Sequence, residues 1–134
     1  MRILIVDDDQ SALDLCAHML KGYGQCDTAL DALSGLELYH AARAQGRPYH
    51  LVVMDVVMPE VDGLTAAEEL LASQADLHEQ DQARLLVVTA HMDPATRERA
   101  LRLGAHAFLN KPLTRQALDA TLACLGLSGD ACED

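Results

Sequence analysis

Four short apolar runs, none broken by polar alternation, constrain this chain more than anything else in it. They are Ile3-Leu4-Ile5-Val6, Leu51-Val52-Val53-Met54, Leu85-Leu86-Val87-Val88 and the shorter Ala107-Phe108-Leu109-Asn110. A run of this kind reads as a strand covered on both faces, the sort found in a parallel sheet. Each one ends in chemistry. Asp7 and Asp8 follow the first, Asp55 the second, Thr89 the third and Lys111-Pro112 the fourth. In open parallel sheets, ligands bind outside the carboxyl ends of the strands. Residues far apart in sequence are therefore expected to meet on one edge as three carboxylates, a hydroxyl and an ammonium. That set suits a hard divalent cation and a phosphoryl group.

Helical patterns alternate with these runs. The first helix is expected over Asp9–Lys21, with Leu13, Cys16, Ala17 and Leu20 on one stripe and Gly22 and Gly24 ending it. A weak strand follows at Gln25–Ala29, then a helix over Asp31–Gln45 stopped by Gly46 and Pro48. The next strand is His50–Asp55. A loop through Pro59, Asp62 and Gly63 leads to a helix at Leu64–Ser73, with Gly63 read as the turn into it. After a strand at Arg84–Thr89, Asp93-Pro94 signals a helix start, an N-cap followed by proline at the first helical position. That helix runs to Gly104, the last strand is Ala107–Asn110, and the last helix is Leu113–Leu125, carrying Leu118, Leu122 and Leu125. Strict alternation implies an α/β fold, a parallel sheet with helices on both faces and right-handed crossovers.

Composition narrows the classes. At 134 residues and 50% apolar content, the chain suits one domain with an ordinary core rather than a disordered tail. Its apolar runs fall far short of the roughly 20 residues of a membrane span, and no signal peptide is read at its start. A formal net charge of −11 argues against direct nucleic-acid or anionic-membrane binding by this domain. Cys16, Cys26, Cys124 and Cys132 lack paired metal-ligand spacing, and Cys16 sits on the apolar helix face as a small core residue. A reducing, cytoplasmic setting is expected. The stretch Gln74–Gln82, rich in Gln, Asp, Glu and His, reads as a solvated helix end or loop.

With these pieces in order, the chain resembles the receiver domain of two-component response regulators, over about Arg2 to Leu125. The matching residues are Asp7-Asp8, Asp55, Met58-Pro59, Asp62-Gly63, Thr89-Ala90 and Lys111-Pro112. Any one is weak; the ordered set, each at or just beyond a strand end, is specific. The resemblance implies a flavodoxin-like, doubly wound, five-stranded parallel sheet of order 2-1-3-4-5 with five helices. It implies residues 1–125 as the receiver domain and 126–134 as a tail or the start of a linker.

It also implies roles. Asp55 is the phospho-acceptor. Asp8 and Asp55 hold Mg²⁺ (or Mn²⁺) directly, Asp7 acts mainly through water, and the Val57 backbone carbonyl is a further ligand. Lys111 supplies a second positive charge and Thr89 donates to a phosphoryl oxygen. Phe108, the only phenylalanine, stands where the family places its aromatic switch, and Lys111-Pro112 is a candidate cis peptide. The donor implied is a phosphohistidine on a sensor histidine kinase or a histidine phosphotransfer domain. The output partner is unnamed, and the surface that changes is the fourth helix, fifth strand and fifth helix. Independently of the resemblance, three carboxylates within several ångströms repel by on the order of 1–4 kcal/mol per pair at surface-like dielectric. They need a cation, and oxygen-only ligands suit Mg²⁺ or Mn²⁺.

Val57 and His91, each two residues beyond a key position, stand where side chains shape water access. An apolar Val57 cannot orient a water, so a comparatively long-lived phosphorylated form is expected. Histidines 18, 40, 50, 78 and 106 show no ligand spacing, and none sits as a phospho-accepting residue.

The rival from another class is a haloacid-dehalogenase-like phosphatase with Asp7 as nucleophile and Asp9 as general acid. It leaves Asp55 without a task. A receiver module cut from a hybrid sensor kinase remains a second alternative.

Overall fold

The computed structural model describes residues 1–56, 63–78, 81–90 and 93–127. Five strands, β1 (Arg2–Val6), β2 (Gln25–Ala29), β3 (Leu51–Asp55), β4 (Arg84–Thr89) and β5 (Ala107–Asn110), alternate with five helices. The helices are α1 (Gln10–Leu20), α2 (Ala32–Ala44), α3 (Gly63–Ser73), α4 (Pro94–Leu103) and α5 (Arg115–Cys124). All strand pairs are parallel and the order is β2-β1-β3-β4-β5. This is the α/β architecture that the uninterrupted apolar runs require.

Alternate side chains of each inner strand serve opposite faces. Leu4, Val6, Val52, Met54, Leu85 and Val87 pack with α2, α3 and Ala100 of α4. Ile3, Ile5, Leu51, Val53, Leu86 and Val88 pack with Leu13, Cys16 and Leu20 of α1 and Leu118 and Leu122 of α5. Every residue of β3 is buried, and only its last, Asp55 at the carboxyl end, is polar.

Capping fixes the helix starts. Asp9 accepts from Ser11 N–H, Asp31 from Ser34, Asp93 from Thr96 and Thr114 from Ala117. The last helix therefore begins at Arg115 rather than Leu113, because Thr114 is the extended cap. Gly104 ends α4 in the left-handed region at φ 103°, which a residue with a side chain adopts poorly. Gly63 is the first residue of α3, as expected for a turn into that helix. Gly35 lies in α2 against β1, where an added Cβ would meet Val6 Cγ2 at 2.7 Å.

The stretch after α3 departs from its solvated reading at its first residue. Gln74 is 1% exposed. Its Oε1 accepts from Tyr39 Oη at 2.5 Å and from Ala83 N at 2.9 Å, and its Nε2 donates to Ala83 O at 2.9 Å. A glutamine can close both halves of one residue's backbone, which is why polar composition misled here.

Two histidines close the opposite end of the sheet from the candidate site. Just before β3, His50 Nδ1 accepts from Arg2 N at 3.0 Å while His50 N donates to Arg2 O at 2.8 Å. Just before β5, His106 Nδ1 accepts from Leu85 N at 3.0 Å while its own N donates to Leu85 O at 2.9 Å. Each imidazole substitutes for one rung of the strand ladder.

Candidate functional site

Strand register carries four of the sequence-singled residues to one edge. Val6 pairs with Met54, so Asp7 follows directly opposite Asp55. Asp55 pairs with Val88, one residue before Thr89, and Thr89 pairs with Asn110, one residue before Lys111. Backbone bonds extend the ladder past the strand ends: Asp7 N donates to Ala29 O at 3.1 Å and Lys111 N to Thr89 O at 2.9 Å. The positions bearing the chemistry are thus fixed by the sheet itself, not by free loops.

The side chains converge. Carboxylate oxygens of Asp7, Asp8 and Asp55 all lie within 4.8 Å of one another. Lys111 Nζ donates to Asp7 Oδ2 at 2.6 Å and to Asp55 Oδ2 at 3.0 Å. Because β4 separates β5 from β3, about 10 Å of sheet must be crossed, and a long aliphatic stem ending in a charge is suited to that. Asp7 is further held by Asp9 N, which donates to its Oδ1 at 2.9 Å. Asp7 and Asp55 are buried, Asp8 is exposed, and Thr89 is fully buried. Burial alone would pull the Lys111 ammonium down, but hydrogen bonds to Asp7 and Asp55 and their charges carry its pKa above the usual lysine value. The Lys111-Pro112 peptide is cis.

Donor chemistry tests whether a divalent cation fits. Among the described residues here, three carboxylates and one ammonium leave two formal negative charges uncompensated. Oxygens sharing an octahedral ion at about 2.1 Å stand roughly 3 to 4.2 Å apart, so the three carboxylates need only a small adjustment. The set is hard, oxygen-only and open to solvent at Asp8, and it fits Mg²⁺ or Mn²⁺. The Val57 carbonyl and His91 lie outside the described residues.

A cleft of about 420 Å³ opens beside the acidic cup. Asp7, Asp55 and Lys111 line one part of it, and Ala12, Leu15 and Leu113 line another. Leu15 is 48% exposed. Cys16 borders the same cleft, but burial, then the neighbouring Cys26 and Asp7, pushes its thiol up to about 12 against the opposing pull of Lys111. It stays protonated and inert, a packing residue as its helical position suggested.

Phe108 is half-buried and packs on the α2–α3–α4 side of the sheet. The Arg97 guanidinium lies over its ring, 5.6 Å from the centroid. Sequence reading missed Arg97 because nothing in the pattern of α4 marks that arginine from its neighbours at 99 and 102.

A parallel sheet of this order with an acidic, lysine-bridged edge defines a class, and comparison places the chain in it. The model of the response regulator receiver domain family matches residues 3–123, and the chain belongs to that family. Chemotaxis protein CheY of Treponema pallidum is 33% identical over 117 residues, which cover 86% of this chain and 75% of that one. The signal transduction histidine-protein kinase BarA of Escherichia coli is 30% identical over 122 residues, covering 88% of this chain but 12% of the relative. Among solved structures, the chemotaxis protein CheY4 of Vibrio cholerae superposes with a TM-score of 0.75 at 25% identity, covering 92% of this chain and 96% of that one. The protein is therefore a receiver domain of the phospho-accepting signalling class. Among the described residues, no helix is long and apolar enough to cross a membrane.

Proposed function

We propose that Asp55 takes a phosphoryl group from a phosphohistidine on a sensor histidine kinase or a histidine phosphotransfer domain, in a Mg²⁺-dependent reaction in the cytoplasm. The observation that carries this reading is the convergence of Asp7, Asp8, Asp55 and Lys111, from three different strands, on one edge of the sheet.

Asp7, Asp8 and Asp55 would hold the ion, with Mn²⁺ as a substitute, and bound there it would offset charge on the Asp55 carboxylate and the incoming phosphoryl group. An Asp55 oxygen attacks phosphorus, the phosphorus–nitrogen bond of the donor breaks, and the imidazole departs with the bonding pair. The Lys111 ammonium, already within bonding distance of Asp55, turns to the new phosphoryl oxygens. The Thr89 hydroxyl, at the end of β4, donates to another. These residues position and neutralise; none transfers a proton. The apolar flank of the adjoining cleft, at Ala12, Leu15 and Leu113, suits the helix that presents the donor histidine. The readout is a rearrangement of the α4–β5–α5 surface through Thr89 and Phe108, felt by a partner protein or an attached output domain. The similarity to BarA, a kinase of which the matched stretch is a small part, also favours a setting within a hybrid kinase.

Incubation with acetyl phosphate and Mg²⁺, followed by intact-mass and peptide mapping, tests this. One phosphoryl group per chain, located at Asp55 and absent from Asp55→Asn, is expected. Repeated turnover of the donor that depends on Asp7 and survives Asp55→Asn would instead make the chain a phosphatase.

A further inference from the structure

Helix α4 is thinly attached. Of its ten residues only Ala100 is buried, whereas α2 buries Ala32, Gly35, Leu36, Tyr39 and Ala42. Leu103, partly buried at its last turn, packs against the same core, and the ties described beyond these two are polar. Arg99 Nη2 donates to Thr65 Oγ1 at 3.2 Å, and Arg97 covers the Phe108 ring at 5.6 Å. The Arg102–Glu98 pair is internal to the helix and anchors it to nothing else. Arg97 is exposed and Phe108 half-buried, so the guanidinium closes the solvent side of a ring whose other side faces the core. A cation within about 6 Å of an aromatic centroid is attracted by the negative face of the ring. That attraction depends on ring orientation.

We propose that Arg97 is a positioning residue for Phe108: through this stacked contact it stabilises the present ring orientation and ties α4 to β5. The inference rests on the switching role given to Phe108 above. A contact made in one ring orientation and lost in the other biases their equilibrium by its own strength and no more. An exposed cation–π contact corresponds to roughly a two- to fivefold change in population. Removing Arg97 therefore raises the alternative orientation by that factor. A ligand requiring the alternative binds more tightly by the same factor while that orientation remains the minor one.

Phe108 is the only phenylalanine, so incorporation of fluorophenylalanine gives a single ¹⁹F resonance reporting this ring. The full chain is titrated with beryllofluoride in excess Mg²⁺, as wild type, Arg97→Ala, Arg97→Lys and Asp55→Asn. The wild-type resonance is expected to move on titration and that of Asp55→Asn to stay still. The apparent affinity for beryllofluoride should rise about two- to fivefold in Arg97→Ala and stay within about twofold of wild type in Arg97→Lys, whose ammonium retains a cation over the ring. A variant that merely loosened the fold would bind beryllofluoride less tightly. Unchanged or weakened affinity in Arg97→Ala, with a responsive wild type, overturns the role of Arg97 alone. A wild-type ring that ignores beryllofluoride although Asp55 accepts phosphate overturns the switching role of Phe108, and this inference with it.

Discussion

Lys111 donates to Asp7 at 2.6 Å across 104 positions of sequence, a shorter contact than the 3.0 Å it makes to Asp55. The ammonium therefore serves as the cation of the cup as a whole and not only as a partner of Asp55. Its loss should be felt in folding.

In chelator, Lys111→Met leaves Asp7 and Asp55 buried and facing each other without a cation. Breaking a fully buried pair costs about 3–5 kcal/mol; with the lysine side chain 23% exposed, about 2–3 kcal/mol is expected here. Added Mg²⁺ should recover part of that by binding the native state alone. Asp8→Asn should act oppositely, gaining on the order of 1 kcal/mol in chelator by relieving repulsion among carboxylate oxygens that lie within 4.8 Å of one another, while losing most of the Mg²⁺-dependent rise. Urea midpoints in chelator and in Mg²⁺ decide; a Lys111→Met midpoint equal to wild type in chelator would show that the ion pair contributes nothing.

Gln74→Leu removes three hydrogen bonds and strands Ala83 N–H, Ala83 C=O and the Tyr39 hydroxyl in the core. At about 1–3 kcal/mol per unsatisfied buried group, with partial relaxation, a loss of about 2–4 kcal/mol is expected. Adding Tyr39→Phe to Gln74→Leu should cost less than Tyr39→Phe does in the wild type, since one stranded group is removed. Strict additivity of the two substitutions, measured by chemical unfolding, would mean the bond is not formed.

The two ends of the sheet should answer pH in opposite directions. Burial, reinforced by the N-terminal ammonium, holds His50 below its ordinary 6.5. The Arg2 N–H also needs the Nδ1 lone pair, which favours the neutral ring. A lowered folded pKa gives stability that is whole above about pH 6.5 and lost as pH falls through the folded value, at no more than about 1.4 kcal/mol per pH unit. Lys111 is raised above its ordinary 10.5, so its contribution is whole below that value and lost only in stronger alkali. His50→Asn keeps an acceptor for Arg2 N but does not titrate. Melting it beside wild type from about pH 7.5 to about pH 5.5 should show a shallower decline in the variant, and parallel declines would remove His50 as a cause.

Much of this was written in the chain in readable form. Ile3–Val6 and Leu51–Met54 reveal strands because a buried central strand has no solvated face to encode, and Asp93-Pro94 reveals a helix start because cap chemistry is local. The edge constellation was legible for a related reason: in a parallel sheet, the residue after each strand is delivered to the same side. What stayed hidden depends on partners set by packing. Gln74 looks like any polar residue at a helix end until Tyr39 and Ala83 are seen around it. His50 and His106 have no spacing because each answers a backbone N–H on another strand. Arg97 gains its place only when β5 brings Phe108 beneath α4.

Gly35 has a consequence outside its own helix. A methyl there would press Val6 at 2.7 Å, and Val6 immediately precedes the aspartate that Lys111 grips. Displacement would pass along one peptide unit to the cup. A larger residue at position 35 is therefore expected to disturb the acidic edge, although it lies on the second helix and lines no part of that edge.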